Sequence, residues 1–291
     1  MKYWTDYKGH DVCILGKKKR IDNTIYTFDI ETTSYLMLDG RVLSSREYPY
    51  LSSEEQAECT KQACMFVWQF SIEDQVYYGR TWIEFKLFLD RINDNDDTRK
   101  ILFIHNLGFE FQALWSVVRI KSVMSRKSRK LMTCELEDYN MQLRCTMMMS
   151  NAKLEKLPKL YMLPVEKKVG DLDYNKIRTP ITPLTDKELG YCEFDCLVTY
   201  WYVKRELEVY QRVDKIPITS TGKVRKQLQR LVLSNFGYVR KVSKQINTDP
   251  RVYNMMTDGM LLGEYTTYLY SIARIFFFSM SAALMAITTS T

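Results

Sequence analysis

Polar and apolar residues alternate along several short segments of the chain, and this period of two predicts β-strands. The first such segment, residues 24–30, is rich in β-branched and aromatic side chains. Residues 63–72 and 75–80 lie two residues apart and predict a hairpin. Residues 100–105 are a short apolar run, typical of a strand buried on both faces of a sheet. Further strands are predicted near residues 131–136 and 141–149.

A spacing of three to four residues between apolar positions predicts helices elsewhere. Thr185 and Glu188 form a capping box, which indicates that a long helix begins there and runs to about residue 213. The other predicted helices cover residues 82–92, 108–118 and 153–162. Residues 34–60 and 164–184 are predicted to be irregular. This order of strands and helices predicts an α/β domain built on a mixed sheet.

The composition adds little to this picture. The chain has 291 residues and a formal net charge of +7, which is compatible with a polyanionic partner but is common in soluble enzymes. Seven scattered cysteines and two histidines do not suit a zinc site, and we expect reduced thiols. The longest apolar run, 275–287, is too short to cross a bilayer, and residues 1–16 lack the apolar core that is typical of a signal peptide. A cytoplasmic protein, without membrane contact, is therefore expected.

Asp29 and Glu31 are the first candidate catalytic residues. They lie two positions apart in the segment FDIET at the end of the first predicted strand, so both side chains are expected on one face. Two carboxylates on a half-buried face repel each other unless a cation lies between them. The alternative is that they form an ordinary solvent-facing edge.

Glu110 is the second candidate. It follows the buried strand in the segment HNLGFE, in the first turn of the next predicted helix. The junction between a strand and a helix is a common position for functional residues in α/β folds. Its alternative role is to complement the helix dipole.

Tyr191 and Asp195 form the third candidate group, in the segment YCEFD. They are four residues apart on a predicted helix and share a face. A tyrosine hydroxyl beside a metal-binding carboxylate can orient an attacking water. The alternative is a surface aspartate on an amphipathic helix.

Taken together and in this order, FDIET, HNLGFE and YCEFD resemble the three exonuclease motifs of DnaQ-like proofreading nucleases. The chain is more closely similar, over roughly residues 24–255, to the protein-primed family B DNA polymerases of bacteriophages and linear plasmids. HNLGF resembles their second motif. KLEKL at 153–157 and VGDLDY at 169–174 resemble the link between their second and third motifs.

The resemblance implies a fold and a division of the chain. The fold would be a ribonuclease H-like (DnaQ-like) mixed sheet flanked by helices, followed by a helical segment. Residues 1–213 would form the 3′→5′ exonuclease domain. Residues 214–262 would be a basic helical segment at the start of the polymerase domain, and 263–291 an atypical tail. The basic residues between 223 and 240 suit contact with a DNA backbone or, equally, a solvated helical face.

The resemblance also implies roles for individual residues. Two divalent ions, Mg²⁺ or Mn²⁺, would be held by the four acidic residues Asp29, Glu31, Glu110 and Asp195, and Tyr191 would orient the attacking water. Single-stranded DNA would be contacted by Thr32, His105, Asn106, Phe109, Leu154, Lys168 and Tyr174. Aromatic rings at 109 and 174 can stack on bases. For Leu154 and Phe109, ordinary packing is the alternative.

The chain departs from the family pattern at several positions. Glu110 stands where the family has aspartate, and this moves the carboxylate by about one bond length. Val169 takes the place of a family lysine, so Lys168 is assigned one residue earlier. Neither the Ser-Leu-Tyr-Pro-like motif nor the Asp-Thr-Asp motif of the polymerase palm is present, and residues 263–291 do not follow the family. A truncated or frame-shifted polymerase gene product is therefore expected.

The function expected from the resemblance is hydrolysis of 3′-terminal nucleotides of single-stranded DNA by two-metal catalysis, in a DNA polymerase fragment. Its partners would be single-stranded and primer–template DNA and a terminal priming protein, in the host cytoplasm if the protein is viral. One alternative is a catalytically weakened DNA-binding remnant of such a polymerase. Another is a stand-alone DnaQ-like nuclease that acts on RNA.

Overall fold

The computed structural model describes residues 1–235 of the chain, apart from residues 18–19, 45, 94–97, 129, 166–171 and 175. The chain divides into two compact units, Met1–Val224 and Arg225–Thr291. Lys168 and the tail 263–291 lie outside the described residues, as does most of the predicted segment 214–262. The domain limits inferred from the family resemblance stay a prediction.

The described residues form eleven strands and seven α-helices. The strands are β1 (Lys2–Tyr3), β2 (Ile14–Leu15), β3 (Ile21–Asp22), β4 (Tyr26–Leu38), β5 (Arg41–Leu43), β6 (Thr60–Ile72), β7 (Gln75–Gly79), β8 (Lys100–Ile104), β9 (Ile120–Lys127), β10 (Lys130–Leu136) and β11 (Met141–Cys145). The helices are α1 (Ser53–Glu58), α2 (Trp82–Ile92), α3 (Leu107–Leu114), α4 (Thr146–Ser150), α5 (Leu157–Tyr161), α6 (Asp186–Tyr210) and α7 (Ser220–Asn235).

Nine of the strands in the described part of the chain form one mixed sheet. Eight of them follow the order β1-β7-β6-β4-β8-β11-β10-β9, and β5 pairs with the outer half of β4. Strands β4, β8 and β11 are parallel neighbours, whereas β6 and β10 run antiparallel to the strands beside them. With helices packed on the sheet, this arrangement confirms the predicted ribonuclease H-like α/β fold, and α7 supplies the helical segment expected after it.

Alternation along the strands gives the sheet two buried faces. In β8, Leu102 and Ile104 contact one hydrophobic cluster, which includes the buried face of α2, whereas Ile101 and Phe103 contact the cluster that includes α6. The same alternation runs through β4, where Ile25, just before the strand, lies on the α6 side and Phe28 lies on the α2 side. Odd-numbered residues of β4 therefore face α6.

Most of the predicted elements are present, with two corrections. Residues 34–60 were expected to be irregular, but β4 continues to Leu38 and turns back into β5 through Asp39 and Gly40, both at positive φ. Strand pairing with β6 and the burial of Leu36 and Leu38 extend the strand, and α1 lies in the remainder of the segment.

The second correction concerns the strand predicted at 141–149. Strand β11 ends at Cys145, which is paired with Ile104 at the end of β8, and residues 146–150 turn into α4. The neighbouring strand supplies no further ladder partner beyond that point, so the apolar run continues as a helix. Within the described residues, no helix is both long and apolar enough to cross a membrane.

Candidate active site

Asp29 and Glu31 face α6 because of their register in β4. Two residues before Asp29, Thr27 donates a hydrogen bond from Oγ1 to the carbonyl of Cys196 on α6, at 3.2 Å. Since side chains two apart in a strand share a face, both carboxylates are directed to the same helix. Asp29 is half-buried and Glu31 is buried. The alternative of a solvent-facing edge is therefore wrong.

Asp195 completes a cluster with these two residues. It is buried on α6, a helix of 25 residues whose first turn is stabilised by the predicted capping box between Thr185 and Glu188. Carboxylate oxygens of Asp29, Glu31 and Asp195 all lie within 4.8 Å of one another. Three acidic groups from two elements thus converge at one point of the sheet.

Glu110 approaches the same point from the opposite side of β4. Strand β8 pairs with β4 only as far as Phe28, and Asn106, in the left-handed conformation, turns the chain from β8 into α3. Glu110 in the first turn of α3 is 3% exposed and hydrogen-bonds Asp29. Burial and then the charge of Asp29 raise the pKa of Glu110 well above its ordinary value.

The Oε2 atom of Glu110 is buried and has no hydrogen-bond partner among the described residues. A buried acidic oxygen in this condition is costly unless a proton or a cation accompanies it. The residues that converge here offer oxygen donors, which are the ligands that Mg²⁺ and Mn²⁺ prefer. The donor set therefore fits a hard divalent cation held by Asp29, Glu31 and Asp195, with Glu110 beside it.

Two tyrosine hydroxyls lie at the edge of this cluster. The hydroxyl oxygens of Tyr174 and Tyr191 are 3.0 Å apart. Burial, together with the negative charges of Asp195 and Glu31, raises the pKa of Tyr191 to about 12. Burial and the charge of Glu31 also raise the pKa of Tyr174. Both hydroxyls are therefore protonated at neutral pH and can donate a hydrogen bond.

A β-bulge shapes the sheet next to Glu31. Glu31 is paired with Val67 and Thr32 with Met65, so Phe66 is an extra residue in β6. Its carbonyl accepts a hydrogen bond from Nε of Arg80, at 2.6 Å. Bulges of this kind are frequent beside active sites because they redirect side chains.

Arg178 and Glu188 form a buried ion pair that the sequence analysis did not single out. Nη2 of Arg178 lies 2.5 Å from Oε1 of Glu188, and Arg178 is only 2% exposed. The same guanidinium donates to the carbonyl of Asp173, next to Tyr174. In the sequence Glu188 was identified only as a helix cap, and an arginine in an irregular segment gave no signal of its own.

The remaining predicted DNA contacts lie in different environments. Asn106 and Phe109 are exposed at the start of α3, and Tyr174 is 61% exposed. His105 is buried, with Nδ1 3.0 Å from Oγ1 of Thr146. Thr32 is half-buried on the strand face opposite to Glu31, whereas Leu154 is half-buried against the α6 core cluster.

Comparison with known proteins supplies information about the fold. The chain matches no protein-family model and no curated protein sequence. Among solved structures, it is similar to an α/β region of polymerases that act on DNA. These are structures of phi29 DNA polymerase, one complexed with primer–template DNA and incoming nucleotide substrates and one in an orthorhombic crystal form. Both have a TM-score of 0.50 and 14% sequence identity to the chain.

The two matches cover 73% and 72% of this chain but only 35% and 34% of the polymerase. The chain therefore spans about a third of the length of the protein it resembles. At this identity the similarity establishes a shared fold. A further match is phi29 DNA polymerase complexed with single-stranded DNA, with a TM-score of 0.49 and 16% identity.

Proposed function

We propose that the chain is the 3′→5′ exonuclease part of a protein-primed family B DNA polymerase and hydrolyses 3′-terminal nucleotides of single-stranded DNA. The observation that carries this proposal is the convergence of Asp29, Glu31 and Asp195 within 4.8 Å. The fold shared with phi29 DNA polymerase supports it. The proximity of Asp29, Glu31, Glu110 and Asp195, which come from three separate sequence motifs, supports it independently.

Divalent ions bound by these carboxylates would supply a hydroxide nucleophile and neutralise charge on the leaving oxygen. The chain's own residues would orient the reactants. Tyr191, whose hydroxyl stays protonated at neutral pH, would hold the attacking water beside Asp195. Asp29 and Glu31 on β4, together with Asp195 on α6, would hold these ions.

The substrate strand would lie over the start of α3. Phe109 is 45% exposed there and can stack on a base, while Asn106 is exposed and can contact sugar or phosphate oxygens. Tyr174 offers a second exposed ring, whose hydroxyl lies 3.0 Å from that of Tyr191. The phi29 structure complexed with primer–template DNA supports DNA as the ligand class. A terminal priming protein remains a proposed partner by the same resemblance.

A hydrolysis assay tests the proposal. The purified chain is incubated with a 5′-labelled single-stranded DNA oligonucleotide and Mg²⁺ or Mn²⁺, and we expect a ladder of products shortened from the 3′ end. Asp29→Asn and Asp195→Asn should each abolish the ladder, as should EDTA. Glu54→Gln, an exposed acidic residue on α1, is the matched control and should cleave normally.

Several results would contradict the proposal. Cleavage that persists in Asp29→Asn would identify a contaminating nuclease. An RNA oligonucleotide degraded in preference to DNA would favour the stand-alone nuclease instead. Full-length oligonucleotide after long incubation with either metal would exclude exonuclease activity in this chain.

A weakened, DNA-binding remnant is the second candidate, and the environment of Glu110 favours it. The side chain of Glu110, which is longer than the aspartate of the family pattern, hydrogen-bonds Asp29 and is not part of the cluster of three carboxylates. On this view the chain would bind oligonucleotides with little turnover, and Glu110→Asp would increase the cleavage rate. A decrease on the same substitution would favour an active site adapted to glutamate.

A further inference from the structure

The segment that carries Tyr174 is attached to the domain on both sides of that residue. On one side, Leu172 is buried in a cluster with Phe66, Val67, Tyr191 and Cys192. On the other side lies Arg178, which is buried beneath the same segment. Tyr174 itself makes a side-chain hydrogen bond to Tyr191 while its ring is mostly exposed. The position of Tyr174 is therefore determined by the buried residues on either side of it, Leu172 and Arg178, more than by packing of its own ring.

Arg178 connects this segment to α6. Its Nε and Nη2 atoms lie 3.1 and 2.5 Å from Oε1 of Glu188, and its Nη1 atom donates to the carbonyls of Asp173 and Lys176 at 2.6 and 3.3 Å. The other carboxylate oxygen of Glu188, Oε2, accepts from the backbone N–H of Thr185 at 2.9 Å. One glutamate thus caps the helix of Asp195 and fixes the arginine.

Arg178 also connects the segment to β4. Its backbone N–H donates to Oγ1 of Thr33 at 3.1 Å, and that hydroxyl donates to the carbonyl of Lys176 at 3.2 Å. Thr33 lies two residues after Glu31 on the same face of the strand. Hydrogen bonds of Arg178 therefore attach the segment both to β4, which carries Asp29 and Glu31, and to α6, which carries Tyr191 and Asp195.

We infer that Arg178 is a positioning residue that holds the Tyr174 hydroxyl against Tyr191, so that Tyr191 presents its own hydroxyl to the attacking water. This inference rests on the proposed hydrolysis. A buried guanidinium with four hydrogen bonds in different directions fixes the segment in a way that a lysine ammonium at the same place does not. A small displacement of a reacting water lowers the rate of the chemical step strongly.

The test is a double-mutant cycle between Arg178 and Tyr174, with cleavage rates measured under saturating oligonucleotide. Arg178→Lys should lower kcat by roughly tenfold or more. In the Tyr174→Phe background the same substitution should change kcat by less than about twofold, because the hydroxyl that Arg178 positions is already missing. Equal losses in both backgrounds would overturn the inference.

Arg144 provides a matched control. It is a buried arginine on β11 that donates to the carbonyls of Val213 and Ile216, both at 3.1 Å. Arg144→Lys should lower stability as Arg178→Lys does, without lowering kcat of the folded protein. If Arg178→Lys does not fold, Thr33→Val removes the second attachment with little change of shape and should lower kcat in the same direction.

Hydrogen exchange separates this inference from the proposed function. The peptide that contains Tyr174 should exchange about tenfold faster in Arg178→Lys than in the unsubstituted chain, and should be unchanged in Arg144→Lys. Unchanged exchange in Arg178→Lys would overturn the inference whether or not the chain cleaves DNA. If exchange is faster in Arg178→Lys but the unsubstituted chain does not cleave DNA, the proposed function is wrong while the attachment by Arg178 is right.

Discussion

Glu110 on α3 and Asp29 on β4 share a hydrogen bond although both are acidic residues. Such a contact requires a proton on one of them, and burial and the charge of Asp29 raise the pKa of Glu110 well above its ordinary value. The pair joins two sequence motifs that are far apart in the chain. In the metal-free protein, two acidic groups are therefore in contact at the place where the proposed cations bind.

We expect the stability of the metal-free chain to fall as the pH rises above the ordinary glutamate pKa of 4.5. Between that value and the raised pKa of Glu110, the folded state holds a proton that the unfolded state has released. This costs up to about 1.4 kcal/mol per pH unit. Glu110→Gln should reduce this slope. Denaturant unfolding between pH 5 and 8 measures it, and an unchanged slope in Glu110→Gln would contradict the assignment.

Divalent cations should stabilise the protein by binding the carboxylate cluster. We expect Mn²⁺ or Mg²⁺ to raise the Tm at neutral pH in a concentration-dependent way, since a ligand of the native state shifts unfolding by mass action. The shift should disappear in the Asp29→Asn/Asp195→Asn double variant. The matched variant Glu54→Gln should retain it. A shift of equal size in all three proteins would indicate binding elsewhere.

Tyr191→Phe should lower kcat by up to about 100-fold, as expected when a reacting water is no longer held in position. Because the pKa of Tyr191 is about 12, the hydroxyl does not titrate below pH 10, and the pH dependence of the residual rate should be unchanged. Rate measurements from pH 6 to 10 test this. A pH profile that differs between Tyr191→Phe and the unsubstituted chain would contradict this prediction.

Phe109→Ala should weaken binding of single-stranded DNA with little effect on stability. Its ring is 45% exposed, so few core contacts are lost, whereas base stacking on an aromatic ring contributes roughly 1–3 kcal/mol. We expect KM to rise about tenfold or more, measured with oligonucleotides of fixed sequence. Ile83→Ala, an exposed apolar residue on α2, is the control and should leave KM unchanged.

Two glycines should respond in opposite directions to substitution by alanine. A Cβ at Gly79 would lie 2.4 Å from the ring of buried Trp68, so Gly79→Ala should destabilise the fold by about 1–3 kcal/mol or more. A Cβ at Gly190 on α6 meets nothing within 4 Å, and Gly190→Ala should stabilise the helix by roughly 0.5–1 kcal/mol. Thermal unfolding of both variants distinguishes these effects, and destabilisation by Gly190→Ala would contradict the placement of α6.

Local patterns accounted for much of the fold. The helix at Trp82–Ile92, the strand at Lys100–Ile104 and the hairpin of β6 and β7 follow from local patterns. One face of α2 is buried, β8 is buried throughout, and two residues separate β6 from β7. The extension of β4 to Leu38 was missed because its outer half is stabilised by pairing with β6, a contact that composition does not reveal.

The sequence by itself determined which chemical groups are available, since two carboxylates in one strand and a capped helix with Tyr191 and Asp195 are local features. Only the tertiary structure decided that these groups meet. The register of β4 against α6 directs Asp29 and Glu31 to Asp195, and the early end of β8 lets Glu110 reach Asp29. The position of Tyr174 depends on buried Arg178 and on its hydrogen bond to Thr33, which is far away in the chain, and a contact of that kind has no local sequence signal.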